Sequence, residues 1–151
     1  MSFVKQFEDF IMGGVVKKQS PNKSRAEFLV SESKRNYYTL RESLKKIGLK
    51  EENANDFIKS CYDILMEITR AKMLLDGFNA SSFGAHEAEV SYLRILGFNE
   101  NEVQFVDQIR FFRNGMLYYG TRLDKEYAER VLDFLHKNYP KLLEMVKSKS
   151  L

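Results

Sequence analysis

Apolar positions recur along this chain in steps of three and four, broken by glycines and short polar stretches, which is the repeat of amphipathic helices. Val4, Phe7 and Ile11 predict a short first helix, ended where Gly13 and Gly14 loosen the backbone. Ser20 followed by Pro21 is a start signal for a second: the serine oxygen accepts a free backbone N–H, and proline has none to lose in a first turn. Val30, Ser33, Tyr37, Leu40, Leu44 and Ile47 then share one face as far as Gly48, a helix-ending residue. Glu51 and Glu52 suit the positive end of a third helix, whose stripe runs through Ala54, Phe57, Ile58, Cys61, Leu65, Ile68 and Leu75 to Asp76 and Gly77.

Residues 77–87 are polar and glycine-containing and predict a mobile connection to a shorter fourth helix with Val90, Leu93 and Leu96, closed by Gly97. Asn99 with Glu102 is an asparagine version of the capping box, opening a fifth helix with Phe105, Ile109, Phe112 and Met116 on one side and Gly120 as its stop. Asp124 caps a sixth with Tyr127, Val131 and Leu135, then a kink or break at Pro140 before Leu142, Leu143 and Val146. The fold predicted is all-α, an antiparallel up-and-down bundle of five or six helices with no strand. It is one domain over residues 1–151, with an N-terminal helix and turn over 1–19 and the bundle over 20–146.

Composition sharpens this picture at three points. A chain of 151 residues is the size of one core, and two prolines with 44% hydrophobic residues exclude a disordered or loop-rich class. Glu8 and Asp9 interrupt what a signal peptide would need as its apolar region, and no apolar run reaches membrane-spanning length, so a cytoplasmic protein without membrane association is expected. Cys61 is the single cysteine and, between Phe57, Ile58 and Leu65, is expected to be a buried, unreactive thiol. Net charge is only +3, but residues 17–50 hold ten Lys or Arg against three Glu, and residues 51–109 hold four against eleven acids. The basic segment, with Tyr37 and Tyr38, suits an anionic polymer and its bases; the alternative is a solvated, lysine-rich helix face.

No phosphate-binding glycine loop and no cysteine pair is present, and His86 and His136 stand fifty positions apart. His86 and Glu89 share a helical face but lack the further carboxylates of a bundle metal centre, so neither a metal nor a cofactor is expected. His136 suits the negative end of the sixth helix. The segment Phe111–Gly120 is the most informative, because it puts polar groups and a glycine where a bundle helix should be uniformly amphipathic. At about 100° per residue, Asp107, Arg110, Asn114 and Tyr118 fall on one strip opposite the apolar side, with Arg113 between. An arginine fork there fits phosphate, Asn114 fits a substrate oxygen, and Gly115 permits a second backbone to approach. Alternatively, Arg110, Arg113 and Arg122 complement the helix C-terminus and Gly115 relieves a crowded crossing.

With Arg113-Asn114 near the end of a bundle helix, two long helices before it and a capped last helix after it, residues 20–146 resemble the HEPN family. The resemblance implies a small helical bundle, usually a homodimer, in which two motifs of arginine, a short spacer and histidine meet in a cleft. Many such proteins are metal-independent endoribonucleases or toxins. Arg113 matches the motif arginine and Asn114 the polar residue beside it, but Tyr118 stands where the histidine belongs, and no histidine lies between Arg113 and residue 135. A tyrosine with a pKa of about 10 is a poor proton acceptor at neutral pH beside a histidine of about 6.5. The tyrosine that a partner minimal nucleotidyltransferase modifies in some family toxins is here Gly120, with Tyr119 out of register.

The resemblance therefore implies a protein that binds RNA or a nucleotide through Arg110, Arg113, Asn114 and Tyr118, or docks a minimal nucleotidyltransferase, with weak or no ribonuclease activity. One alternative is a metal-independent endoribonuclease using Arg113 with Tyr118 or His86. The other is a non-catalytic module whose basic second and acidic third helices serve assembly with another protein.

Overall fold

The computed structural model describes residues 3–150, with side chains to residue 148. Six helices carry the fold: α1 (Phe7–Met12), α2 (Lys23–Lys46), α3 (Ala54–Leu75), α4 (Ala85–Ile95), α5 (Glu100–Tyr119) and α6 (Lys125–Ser150). Helix α3 is the axis, with fourteen of its twenty-two residues buried, so it packs on neighbours nearly all round. Helix α2 runs antiparallel to it, since Asn22 N–H donates to Leu74 O at 3.1 Å while, further along, the Asn36 amide reaches Glu67 at 3.0 Å. Helix α6 returns along α2, where Ser33 meets the Tyr139 hydroxyl at 2.9 Å. Helix α5 runs back along α3, with Arg113 beside Asp63 and Thr121, just beyond the helix, beside Asn55. The main core joins α2, α3, α5 and α6 through Leu29, Ile58, Leu65, Ile109, Leu135 and Leu142. No helix among the described residues is long and apolar enough to cross a membrane.

The antiparallel helical bundle is thus as expected, and several of its ends follow the local rules. The Asn99 capping box forms in full, with both reciprocal bonds at 2.9 Å. Gly120 takes the left-handed conformation that stops α5, and Asp124 accepts from Tyr127 N–H at 2.8 Å at the start of α6. Cys61 is fully buried, and burial pushes its thiol up to about 12, leaving it a small apolar side chain.

Other expectations fail for tertiary reasons. Two three-residue strands are present, β1 (Val16–Lys18) and β2 (Phe78–Ala80), paired antiparallel with Lys17 opposite Asn79. They lie in segments expected to be a turn and a polar connection. The ribbon roofs a second small core of Phe7, Phe10, Val16, Met73, Ala88 and Tyr92. Helix α2 is capped by Asn22 through Arg25 N–H at 3.2 Å rather than by Ser20, because Gln19 N–H is tied to Gly77 O and keeps the chain extended there. A single turn of tighter helix, Glu51–Asn53, precedes α3.

Helix α6 runs through Pro140 to Ser150, so Pro140 does not break it and His136 lies near its middle rather than at its end. Pro140 is exposed, which leaves the carbonyl its ring cannot serve on the solvent side. Tyr37 bonds His136 Nδ1 at 2.9 Å and its ring lies 4.5 Å from that of Tyr139, so it is occupied within the fold and not free to stack on bases. Burial and then the nearby Arg41 charge hold His136 below its usual value, which opposes a positive imidazole there. The unfolded chain then takes up a proton at a higher pH than the folded one, so this stabilisation is full above about pH 6.5 and is lost as pH falls through the lowered value. Between pH 7.5 and 5, thermal unfolding of wild type should therefore fall more than that of His136→Gln. Parallel curves would remove His136 from the acid response.

Candidate functional site

The last two turns of α5 face α3 and the beginning of α4 across a cleft of about 530 Å³. Arg113, Asn114, Leu117 and Tyr118 enter it from α5, Tyr62, Asp63, Glu67 and Arg70 from α3, His86 from α4 and Asn36 from α2. Three of the four residues expected to bind a ligand are therefore affected differently from the fourth. Arg113, Asn114 and Tyr118 share the cleft, and His86, the alternative proton carrier, joins them from another helix. Arg110 does not line it: its Nε donates to Asp107 at 2.7 Å and its second arm reaches Glu87 at 3.5 Å, an ion-pair cluster that ties α5 to α4. Asp107 is buried in that cluster, so the strip read from helical geometry divides into a structural half and a cleft-facing half.

The two arginines of the cleft are held very differently. Arg70 makes a fork with Glu89, Nε at 2.6 Å and the terminal nitrogen at 2.9 Å, and Glu89 is only 3% exposed. Burial alone would raise Glu89, but hydrogen bonds from His86 and Arg70 outweigh it and hold the carboxyl below its usual range. His86 Nδ1 lies 3.4 Å from the same carboxylate, which restrains a largely exposed ring. Arg113 instead meets Asp63 at 3.1 and 3.5 Å, and Asp63 is half exposed. Such a rim pair contributes roughly 0–1 kcal/mol, so Arg113 is the cation that an incoming anion can win. Glu67 lines the same cleft, with its pKa raised by burial against the hydrogen bond from Asn36.

Beneath Arg113 lies Tyr62, a residue that the helical stripe of α3 passes over. The Arg113 guanidinium stands 5.7 Å from its ring centroid, and Tyr62 is only 5% exposed. Its hydroxyl has no hydrogen-bond partner among the described residues. Burial and then the Glu89 charge raise its pKa, against Arg110, Arg113 and Arg70, so the phenol keeps its proton and can donate. The only hint in the sequence is that Tyr62 directly follows Cys61 on the most buried helix.

The close approach that Gly115 permits within this chain is made by Thr121. A side chain there would come within 2.6 Å of Thr121 Oγ1, and Thr121 N–H donates back to Gly115 O at 3.2 Å. The glycine lets the α5–α6 connection fold onto its own helix, where Asn55 holds Thr121 O and Leu123 N–H at 2.8 and 2.9 Å.

A second groove of about 370 Å³ runs between α2 and α3 and shares Asn36 and Asp63 with the first. It is lined by Asp56 and Asp63 with no arginine or lysine, which suits an anion less than the α5 cleft does. Among the described residues no three His, Cys, Asp or Glu side chains are grouped so as to hold a metal ion. No family model, curated protein or solved structure matches this chain.

Proposed function

We propose that this chain is a HEPN-like, homodimeric cytoplasmic protein that binds RNA or a nucleotide in the α5 cleft, with weak or no ribonuclease activity of its own. The observation that carries this reading is the convergence of Arg113, Asn114 and Tyr118 in one cleft, with Arg113 held only by a half-exposed carboxylate. Arg113 takes a phosphate through its fork, Asn114 orients the ligand through its amide, and the 75% exposed Tyr118 offers a face for a base. Phe111, Leu117 and Tyr119, all exposed on the same turns, together with the exposed Phe83 before α4, suit a protein surface here. That surface is where a second copy, or a minimal nucleotidyltransferase, would dock.

The catalytic reading rests on a separate observation. His86 lines the same cleft and is restrained by Glu89, so a histidine from α4 stands in for the one missing from α5. In that case His86 transfers the proton and Arg113 stabilises the charge developing on phosphorus-bound oxygen.

The test is an end-labelled mixed RNA pool and a set of nucleotides incubated in EDTA with wild type, Arg113→Glu and His86→Gln, with binding and cleavage read from the same samples. Binding that weakens steeply with salt and falls at least about tenfold in Arg113→Glu, without cleavage, is the expected result. Cleavage that disappears in His86→Gln would select the enzyme. Equal affinity of wild type and Arg113→Glu for every ligand would remove the cleft from the function and leave protein assembly.

A further inference from the structure

A polar group shut away from water without a partner is rare in folded proteins, because its lost hydration is not returned. The Tyr62 hydroxyl is such a group, and its residue lines the cleft, with the guanidinium of Arg113, held only by a half-exposed carboxylate, over its ring. Resting on the anion-binding reading above, we infer that Tyr62 hydroxyl and Arg113 guanidinium together form the seat for one oxyanion of a nucleoside monophosphate.

Three observations lead to this ligand class. Both groups of the seat are donors, since a phenol that keeps its proton gives one hydrogen bond and an arginine fork gives two, which matches an oxygen-rich anion. The other arginines nearby are committed, Arg70 to the buried Glu89 and Arg110 to the buried Asp107, so the seat holds a single anionic group rather than a run of phosphates. A cleft of about 530 Å³ has the dimensions of a small-molecule site, whereas a strand of RNA needs a groove that continues past the molecule's edge. The amide of Asn114 carries both donors and an acceptor, as the edge of a base requires, and the exposed ring of Tyr118 supplies a stacking face.

The experiment titrates the four ribonucleoside 5′-monophosphates, the matching nucleosides, inorganic phosphate and a short RNA into wild type, Tyr62→Phe, Arg113→Ala and Asp63→Asn, by calorimetry and NMR. At least one monophosphate should bind wild type and bind Tyr62→Phe about tenfold or more weakly, the loss of one hydrogen bond to a charged group. Nucleoside affinity should be the same in both proteins. Without ligand, Tyr62→Phe should melt at or above the wild-type temperature, because it removes a hydroxyl that bonds nothing in the protein. Asp63→Asn keeps Tyr62 and weakens the competitor for Arg113, so monophosphate should bind it severalfold more tightly.

Equal monophosphate affinity in wild type and Tyr62→Phe, with loss in Arg113→Ala, overturns the seat and leaves a phosphate on Arg113 alone. Unchanged or weaker binding to Asp63→Asn also overturns it. Inorganic phosphate binding as tightly as every monophosphate overturns the nucleotide part, and RNA binding without monophosphate binding overturns the pocket-sized ligand while the proposed function stands. No binding of any probe overturns both.

Discussion

Arg70→Ala should be the most destabilising change at the cleft, lowering stability by about 3–5 kcal/mol, because it leaves the Glu89 carboxylate buried and without its main partner. Glu89 is 3% exposed and takes both arms of Arg70, and what would remain is His86 at 3.4 Å from one oxygen. The loss should depend on pH in a defined sense. In wild type the carboxyl is held below its usual value, so it adds stability above the unfolded pKa of about 4.3 and loses it as pH falls through the folded one. With Arg70 gone, burial dominates and the folded pKa rises above the unfolded one, so the deficit is greatest at neutral pH and shrinks toward pH 4. Urea unfolding at pH 7 and pH 4 reads both effects.

The same pair should be nearly dispensable when both partners are removed together. Arg70→Met with Glu89→Leu replaces two charges by apolar groups of similar volume, and such replacements are often neutral or stabilising. The double variant should recover most of what Arg70→Ala loses. If Arg70→Ala matches wild type, or the double variant is as unstable as the single one, Glu89 is not the buried charge described here. This pair ties α4 to α3 on the side of the cleft that carries His86, beside the apolar packing of Val90 and Leu93 in the main core.

The parts of the fold that were legible in sequence are those decided within one turn of chain. Asn99 and Glu102 satisfy each other across three residues, and Gly120 and Asp124 act at a single backbone position, so no distant partner is needed. The β1–β2 ribbon was not legible, because Val16–Lys18 and Phe78–Ala80 are too short to show a period of two and their pairing partners stand about sixty positions apart. The break expected at Pro140 does not occur, because the rule against proline inside a helix takes no account of which side of the helix faces solvent.

The cleft divides in the same way. Arg113 and Asn114 were legible as polar groups out of pattern, and an arginine three residues after Asp107 could have been read as an ion pair along the helix. The partners that decide their roles were not: Glu87 binds Arg110, Asp63 binds Arg113, and His86 arrives in the cleft from a helix twenty-seven positions earlier in the chain. Tyr62 lies outside the stripe that spacing defines, because such a stripe describes one face, while α3 is buried on more than one.

Gly77→Ala should be the second large effect, at about 2–5 kcal/mol, and it arises where the least legible part of the fold joins the most buried helix. Gly77 has φ +87°, a conformation that costs a residue with a side chain roughly 1–2 kcal/mol. An added Cβ would also lie 2.7 Å from the Gln19 carbonyl oxygen, and backbone cannot turn aside as a flexible side chain does, which adds about 1–3 kcal/mol. Gly97 separates the two contributions: its φ is +95° but nothing lies within 4 Å of its added Cβ, so Gly97→Ala should show only the first. The excess in Gly77→Ala should appear locally, as faster hydrogen exchange at Gln19 and Ser81, whose N–H groups donate to Gly77 O at 2.8 Å and Val15 O at 3.0 Å. Because the ribbon leads directly into the start of α4, loosening it should also broaden the His86 ring signals. Equal losses in Gly77→Ala and Gly97→Ala would mean that the strands tolerate a wider separation, and that the ribbon does not position His86.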